Sequence, residues 1–247
     1  MRLLKLIAVP VVLFASVAFA QKPAATSSAP PPAASSAAPT AAATTTADAA
    51  TLTTATDVAK LVQDSYDKIG TYEADFTQTY TMKAFGETKK TSGHVTFVKD
   101  GGKMRWDYAE PKGNIVVSDG KDLWSYVDSD KAARKMAVKD SQMPTALSFL
   151  TGKGNLTADF NLTLVDSTKF KYVGGYVLEG KPKAATNLYN TVLFYIDAKT
   201  GQVRRVLIVD AQDNRNRFEF AAPAVNKVYD KTFFVWAPPA GATVTTQ

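Results

Sequence analysis

Cysteine is absent from the 247 residues and histidine occurs once, as His94. Disulfide frameworks, thiol nucleophiles and Cys-ligated zinc or iron–sulfur sites are thereby excluded, and any catalytic triad or His-based metal site would have to be built around one imidazole. Nor is there a long block of one charge. Lys and Arg number 29 against 23 Asp and Glu, and the basic runs are only pairs: Lys89-Lys90, Arg134-Lys135 and Arg204-Arg205. Nucleic-acid surfaces draw on clustered Lys and Arg, so no nucleic-acid partner is expected. The apolar stretch from Leu6 to Phe19 is broken by Pro10 and falls short of the roughly 20 residues that a membrane helix needs.

What is present divides into three segments. Residues 1–20 carry Arg2 and Lys5, then the short apolar stretch, then Ala18-Phe19-Ala20, the pattern of a cleavable secretory signal peptide. An uncleaved anchor is the alternative; with no cysteine after the cleavage site, the chain cannot itself be a bacterial lipoprotein. Residues 21–56 contain 14 Ala, 9 Thr, 5 Pro and 4 Ser and no aromatic residue. Such a stretch has almost nothing to bury against the entropy of ordering it, and it is expected to be a disordered linker. The fold must then lie in residues 57–247, where about one residue in eight is aromatic.

Within that domain Asp57 precedes Val58, Leu61, Val62, Tyr66 and Ile69, an apolar stripe at helical spacing that ends at Gly70. An amphipathic helix with an Asp N-cap and a Gly C-cap is expected. A second short helix is expected from Pro144 through Ala146, Leu147, Phe149 and Leu150 to Gly152. Nearly everything else alternates, with candidate strands at 72–82, 92–99, 103–108, 115–118, 123–127, 160–166, 176–180, 191–197, 203–210 and 217–221. Turn signals separate them, among them Asp100-Gly101-Gly102, Asp119-Gly120, Gly174-Gly175 and Lys199-Thr200-Gly201.

In Lys103-Met104-Arg105-Trp106-Asp107-Tyr108 the large apolar groups share one face and the charges the other, and Val95 and Phe97 alternate likewise with His94 and Thr96. Two short helices cannot cover a flat sheet of ten strands. The expected fold is mainly β with some α: a curled antiparallel sheet, an incomplete β-barrel, whose helices close its mouth.

Chemistry is sparse. His94 lies on the polar side of a strand with no G-x-S-x-G motif beside it. Gly152-Lys153-Gly154 lacks the rest of a phosphate loop. Asp107 with Glu110, or Asp119 with Asp122, could in principle serve glycoside hydrolysis, but Asp119 sits in a tight-turn signal and Asp122 opens the next strand. Asn155 and Asn161 match the N-glycosylation pattern without further support. No acid, base, nucleophile or metal set converges, so no enzyme, cofactor or metal site is expected. The aromatic and Met residues on one face form either a solid core or the wall of a ligand cavity, and periodicity alone does not separate these.

Gly93-His-Val-Thr-Phe97, Gly102-Lys-Met-Arg-Trp106-Asp-Tyr108, Pro111, Val117-Ser-Asp-Gly-Lys121 and Leu123-Trp-Ser-Tyr126 follow one another in a fixed order, with Phe76-Thr-Gln78 upstream and Phe234-Val-Trp-Ala-Pro-Pro-Ala-Gly241 near the end. This arrangement resembles the periplasmic outer-membrane lipoprotein carrier family of LolA type, from about Val58 to Val244. The resemblance implies an incomplete barrel with helices as a lid over a hydrophobic cavity. It also implies a carrier that accepts acylated lipoproteins from an inner-membrane ATP-driven release complex and passes them to an outer-membrane acceptor.

On that basis Phe76, Phe97, Met104, Trp106, Tyr108, Leu147 and Leu150 are expected to line the cavity or lid, and the protein is expected to work as a periplasmic monomer. One departure stands out: many relatives carry Arg-Pro where this chain has Asp100-Gly101. The alternative function on the same fold is a lipid- or lipoprotein-binding sensor or lipid carrier. Acyl burial is worth about 0.8 kcal/mol per CH₂, so a chain of about 16 carbons left in water costs on the order of 12 kcal/mol, which is why a shuttle must shield it.

Overall fold

The computed structural model describes residues 52–138, 147, 150 and 154–246. Its first element is α1 (Ala55–Asp67). Thr54 caps it in extended geometry, its Oγ1 accepting the Asp57 N–H at 3.1 Å and donating to the Asp57 carboxylate at 2.6 Å. Thr54 is thus the N-cap, and Asp57 stands in the first turn instead of at the N-cap. The helix therefore begins two residues inside the stretch expected as linker. At the other end Lys68, in right-handed helical geometry, closes the helix; Gly70 donates its N–H to Asn226 Oδ1 at 2.8 Å and leads into the first strand.

Twelve strands follow: β1 (Thr71–Met82), β2 (Glu87–Val98), β3 (Lys103–Glu110), β4 (Ile115–Ser118), β5 (Asp122–Val127), β6 (Ala132–Ala137), β7 (Phe160–Val165), β8 (Gly175–Pro182), β9 (Thr191–Asp197), β10 (Val203–Val209), β11 (Arg215–Val225) and β12 (Thr243–Thr246). They form one open, curled sheet in the order β12-β6-β5-β4-β3-β2-β1-β11-β10-β9-β8-β7, with β12 and β7 as free edges. All neighbours are antiparallel except β12, which runs parallel to β6. The ten expected strands are all present. β6 and β12 were not expected, because Ala-Ala-Arg-Lys-Met-Ala and Thr-Val-Thr-Thr carry little strand signal or length.

A one-turn helix, α2 (Leu156–Asp159), precedes β7. Asn155 caps it, its Oδ1 accepting from the Thr157 and Ala158 N–H groups, so the Asn155-Leu-Thr157 triplet has a structural use. The second expected helix, over 144–152, lies outside the described residues apart from Leu147 and Leu150.

The register fixes two faces. Tyr72, Ala74 and Phe76 on β1 stand opposite Phe97, Val95 and Gly93 on β2, which stand opposite Met104, Trp106 and Tyr108 on β3. Across β11, β10, β9 and β8 the same face continues through Phe220, Phe218, Val206, Phe194 and Leu178. We call this the inner face. α1 packs beside β7 and β8 on it, burying Val58, Ala59, Val62 and Tyr66, and the Tyr66 hydroxyl accepts the Val203 N–H at 3.3 Å.

The outer face is mixed. Near its centre Arg105 pairs with Asp107 and Arg205 with Glu219, both at 2.8 Å or closer. Toward one edge Ile115, Val117, Tyr126 and Ala133 form an apolar cluster under Trp236, and toward the other Val177, Leu193 and Tyr195 form one under Phe170 and Tyr172.

One glycine explains a local choice. A Cβ on Gly93, opposite Phe76 and Tyr108, would fall 2.1 Å from the Asp107 carbonyl oxygen, where the β2–β3 register shifts by a bulge.

Candidate functional site

The inner face holds the densest aromatic cluster joined across strands. Trp106 sits at its centre, edge-on to Phe76 at 4.9 Å, Phe97 at 5.8 Å and Phe218 at 5.8 Å between ring centroids. Phe76 also meets Tyr108 at 5.2 Å, and Tyr72 links Phe97, Phe220 and the helix residue Tyr66. Alternation at period two puts these groups on one face, and edge-to-face geometry adds about 0.5–1.5 kcal/mol per pair beyond the area buried. Burial raises the Tyr66, Tyr72 and Tyr108 hydroxyls above their ordinary range, so they stay neutral.

Of the seven expected site residues, Phe76, Phe97, Met104, Trp106 and Tyr108 come together here, all on adjacent strands of this face. Leu147 and Leu150 are buried. Trp106 is 2% exposed, and its three ring neighbours meet it edge to face.

A polar trio interrupts the apolar surface on β1, β2 and β11, while Ile208 and Val192 continue it on β10 and β9. Buried Gln78 donates from Nε2 to Asn216 Oδ1 at 2.7 Å, and Thr91 Oγ1 donates to Gln78 Oε1 at 3.0 Å. Sequence reasoning noted Gln78 only as part of a motif. Its position on the inward parity of β1, among apolar neighbours, was the available signal.

The polar candidates go elsewhere. His94 is on the outer face, with Nδ1 2.9 Å from Asp75 and Nε2 3.7 Å from Glu73. Glu73 also accepts from Lys227 and from the Tyr229 hydroxyl, the first of which chiefly holds its carboxyl below the usual range. Burial and that bond push Tyr229 up to about 12. Asp119 accepts the N–H groups of Lys121 and Asp122 and serves its own turn. Arg105 is held outward by Asp107, by the Phe233 carbonyl at 2.9 Å and by the Phe233 ring.

Asp100-Gly101 forms the start of a 3-10 turn in which Gly101 has φ 73°. Proline cannot adopt that angle, so Arg-Pro would require a different backbone here. Moreover, the Gly101 carbonyl lies 2.0 Å from where a Cβ on Gly120 would be, packing this turn against the β4–β5 turn. A cleft of about 390 Å³ nearby is lined by Thr71, Val98, Lys103, Lys231 and Phe234, among others. Thr71, Val98 and Lys103 have outer-face parity, so the cleft is separate from the aromatic cluster.

Comparison with known proteins accords with this arrangement. The family described as outer membrane lipoprotein carrier protein LolA matches residues 67–237. An outer-membrane lipoprotein carrier protein of Nitrosomonas europaea is 30% identical over 75% of this chain and 87% of its own length. One from Chromobacterium violaceum is 28% identical over 70% and 80%. In fold, an uncharacterized conserved protein from Thermus thermophilus superposes with a TM-score of 0.51 at 12% identity, over 78% of this chain and 99% of the other. A family match over most of the chain and a curated relative at 30% identity give the conclusion: the chain belongs to the LolA family of outer membrane lipoprotein carrier proteins.

Proposed function

We propose that the protein is a periplasmic lipoprotein carrier that shelters the acyl chains of its cargo against the inner face of the sheet. Phe76, Phe97, Met104, Trp106 and Tyr108 supply the wall, and Leu147 and Leu150 belong to the cover. The observation that carries this reading is the aromatic cluster on a curled, one-sided sheet in a chain of this family.

The energetics suit a shuttle. With the rings already packed edge to face against one another, loading exchanges ring–ring contacts for ring–acyl contacts, and both are apolar burial of similar worth per unit area. The net gain is then smaller than the full transfer of an acyl chain out of water, which leaves cargo able to depart. A movable cover supplies the gate, and Met104 adds an adaptable surface. The Gln78–Asn216–Thr91 trio, set into this face, is satisfied within the protein. The mechanism proposed has no bond-making step and calls on no cofactor.

Residues 1–20 direct export and are then removed, and the linker that follows, up to residue 51, spaces the carrier domain from the N-terminus. Cargo arrives from an inner-membrane ATP-driven release complex and leaves to an outer-membrane acceptor. The protein acts as a monomer.

Solvent extraction and mass spectrometry of protein purified from the periplasm test the reading. A co-purifying acylated peptide is expected; free phospholipid alone would replace lipoprotein carriage with lipid carriage or sensing. Because Trp106 is buried among three rings, an Asp there would place a charge in the core. Trp106→Leu is the better probe, and is expected to lower release of lipoproteins from spheroplasts while the protein stays folded.

A further inference from the structure

Among the described residues Phe85 is the only aromatic side chain left exposed, at 75%. It stands at the tip of the β1–β2 hairpin, in the turn Lys83-Ala84-Phe85-Gly86, where Gly86 has φ 64°. β2 pairs with β1 along its whole length from Glu87, but with β3 only from Ser92. The last turn of the hairpin with residues 87–91 therefore reaches past β3 as a finger. The finger is anchored on its other side, because β11 pairs with β1 as far as Thr81, and Asn214 Oδ1 accepts the Lys83 N–H at 3.0 Å. Phe85 is thus held out on a braced tip, 75% exposed, with none of the described residues covering it.

The charges around it have one predominant sign. Lys83, Lys89 and Lys90 are exposed on the finger, and Arg215 is exposed directly opposite Thr81. The exposed carboxylates nearby are Glu87, Asp213 and, opposite Ser92 at the foot of the finger, Glu110, while Asp210 is turned into its own loop, accepting from the Gln212 and Asn214 N–H groups. Lysines on an unpaired strand edge also deter strand addition, but edge protection gives no account of an exposed phenyl ring at the tip.

We propose that this fingertip is a contact site for an anionic bilayer surface, with Phe85 entering the headgroup layer and Lys83, Lys89, Lys90 and Arg215 facing lipid phosphates. Aromatic rings favour the membrane–water boundary, and cations near an anionic leaflet add attraction that salt screens. A single ring with a few cations binds weakly and reversibly. That suits a protein which must touch a membrane and leave it. The inference concerns a surface remote from the aromatic cluster and holds whether or not the cargo is a lipoprotein.

The absence of cysteine makes the test direct. Full-length exported protein with Ala84→Cys, labelled with an environment-sensitive fluorophore, is mixed with vesicles containing phosphatidylglycerol or with phosphatidylcholine alone. The same label on Val173→Cys, an exposed position just before β8 at the opposite end of the sheet, is the reference. A blue shift is expected for the fingertip label with anionic vesicles only, reversed by high salt. Vesicle co-sedimentation of the unlabelled protein should fall about tenfold or more on combining Lys89→Glu with Lys90→Glu, and clearly on Phe85→Ser, with thermal unfolding unchanged. The proposal is overturned by equal shifts at both labels, by unchanged co-sedimentation of the variants, or by no binding to protein-free vesicles. If only vesicles carrying membrane proteins bind, the finger belongs to a protein partner instead. None of these results alters the mass-spectrometric test of cargo.

Discussion

The two faces of the sheet are made from the same strands and solve different problems. On the inner face apolar side chains run from β3 through β1 to β8, the aromatic rings meet edge to face, and the buried polar residues are satisfied, Gln78 bonded on both sides and Ser118 accepting the Gly120 N–H. On the outer face the apolar residues are split into two separate clusters with a charged centre between them, and each cluster has its own small cover. A continuous apolar wall can adapt to an acyl chain, whereas patches capped one by one cannot. The comparison teaches that burial alone does not mark a binding face, since Val117 and Trp106 are about equally buried; continuity does.

Substitutions can break or sharpen that contrast, and the largest effect belongs to the inner face. Trp106→Ala should cost about 3–5 kcal/mol of stability in urea unfolding, because it empties a site bordered by three rings. Gln78→Ala should cost about 1–3 kcal/mol by stranding Thr91 and Asn216. A cost near zero would mean water replaces the amide and the apolar wall is open there.

On the outer face Trp236→Ala should cost only about 1–2 kcal/mol, since the indole is half-buried against Trp124 and Tyr126. It should leave cargo uptake unchanged, and reduced uptake would merge the two faces functionally.

The smallest effect is electrostatic. Lys227 and Tyr229 lower the Glu73 carboxyl below its ordinary 4.5 in the folded protein. Its contribution is therefore complete above that value and is lost as the pH falls through the depressed folded value. Glu73→Gln should flatten stability against pH in that acid window and change little at neutral pH.

The inner face was legible in the sequence because period-two alternation in Lys103–Tyr108 and Val95–Phe97 states it directly. The outer clusters were hidden for a physical reason. β4 reads Ile115-Val-Val117 before Ser118, an apolar run without alternation, which is what a strand covered on both faces looks like. What covers its outer face is Trp236, more than a hundred residues later, and no local pattern reports that pairing. Thr96 misled in the same way: it reads as a solvent-facing partner of Phe97, yet it is buried. The N-cap shifted from Asp57 to Thr54 because both residues suit a cap, and only the extended backbone at Thr54 decides between them.

By itself the sequence determined the absence of thiol and disulfide chemistry, the many short strands, the aromatic inward face and the family. Those depend on composition and on near neighbours along the chain. The tertiary structure alone decided that β12 runs parallel beside β6, that the Phe233 carbonyl accepts from Arg105, and that Gln78 is bonded to Asn216. Each of these joins residues far apart in the chain, where pairing is set by sheet register and closure and not by any local preference.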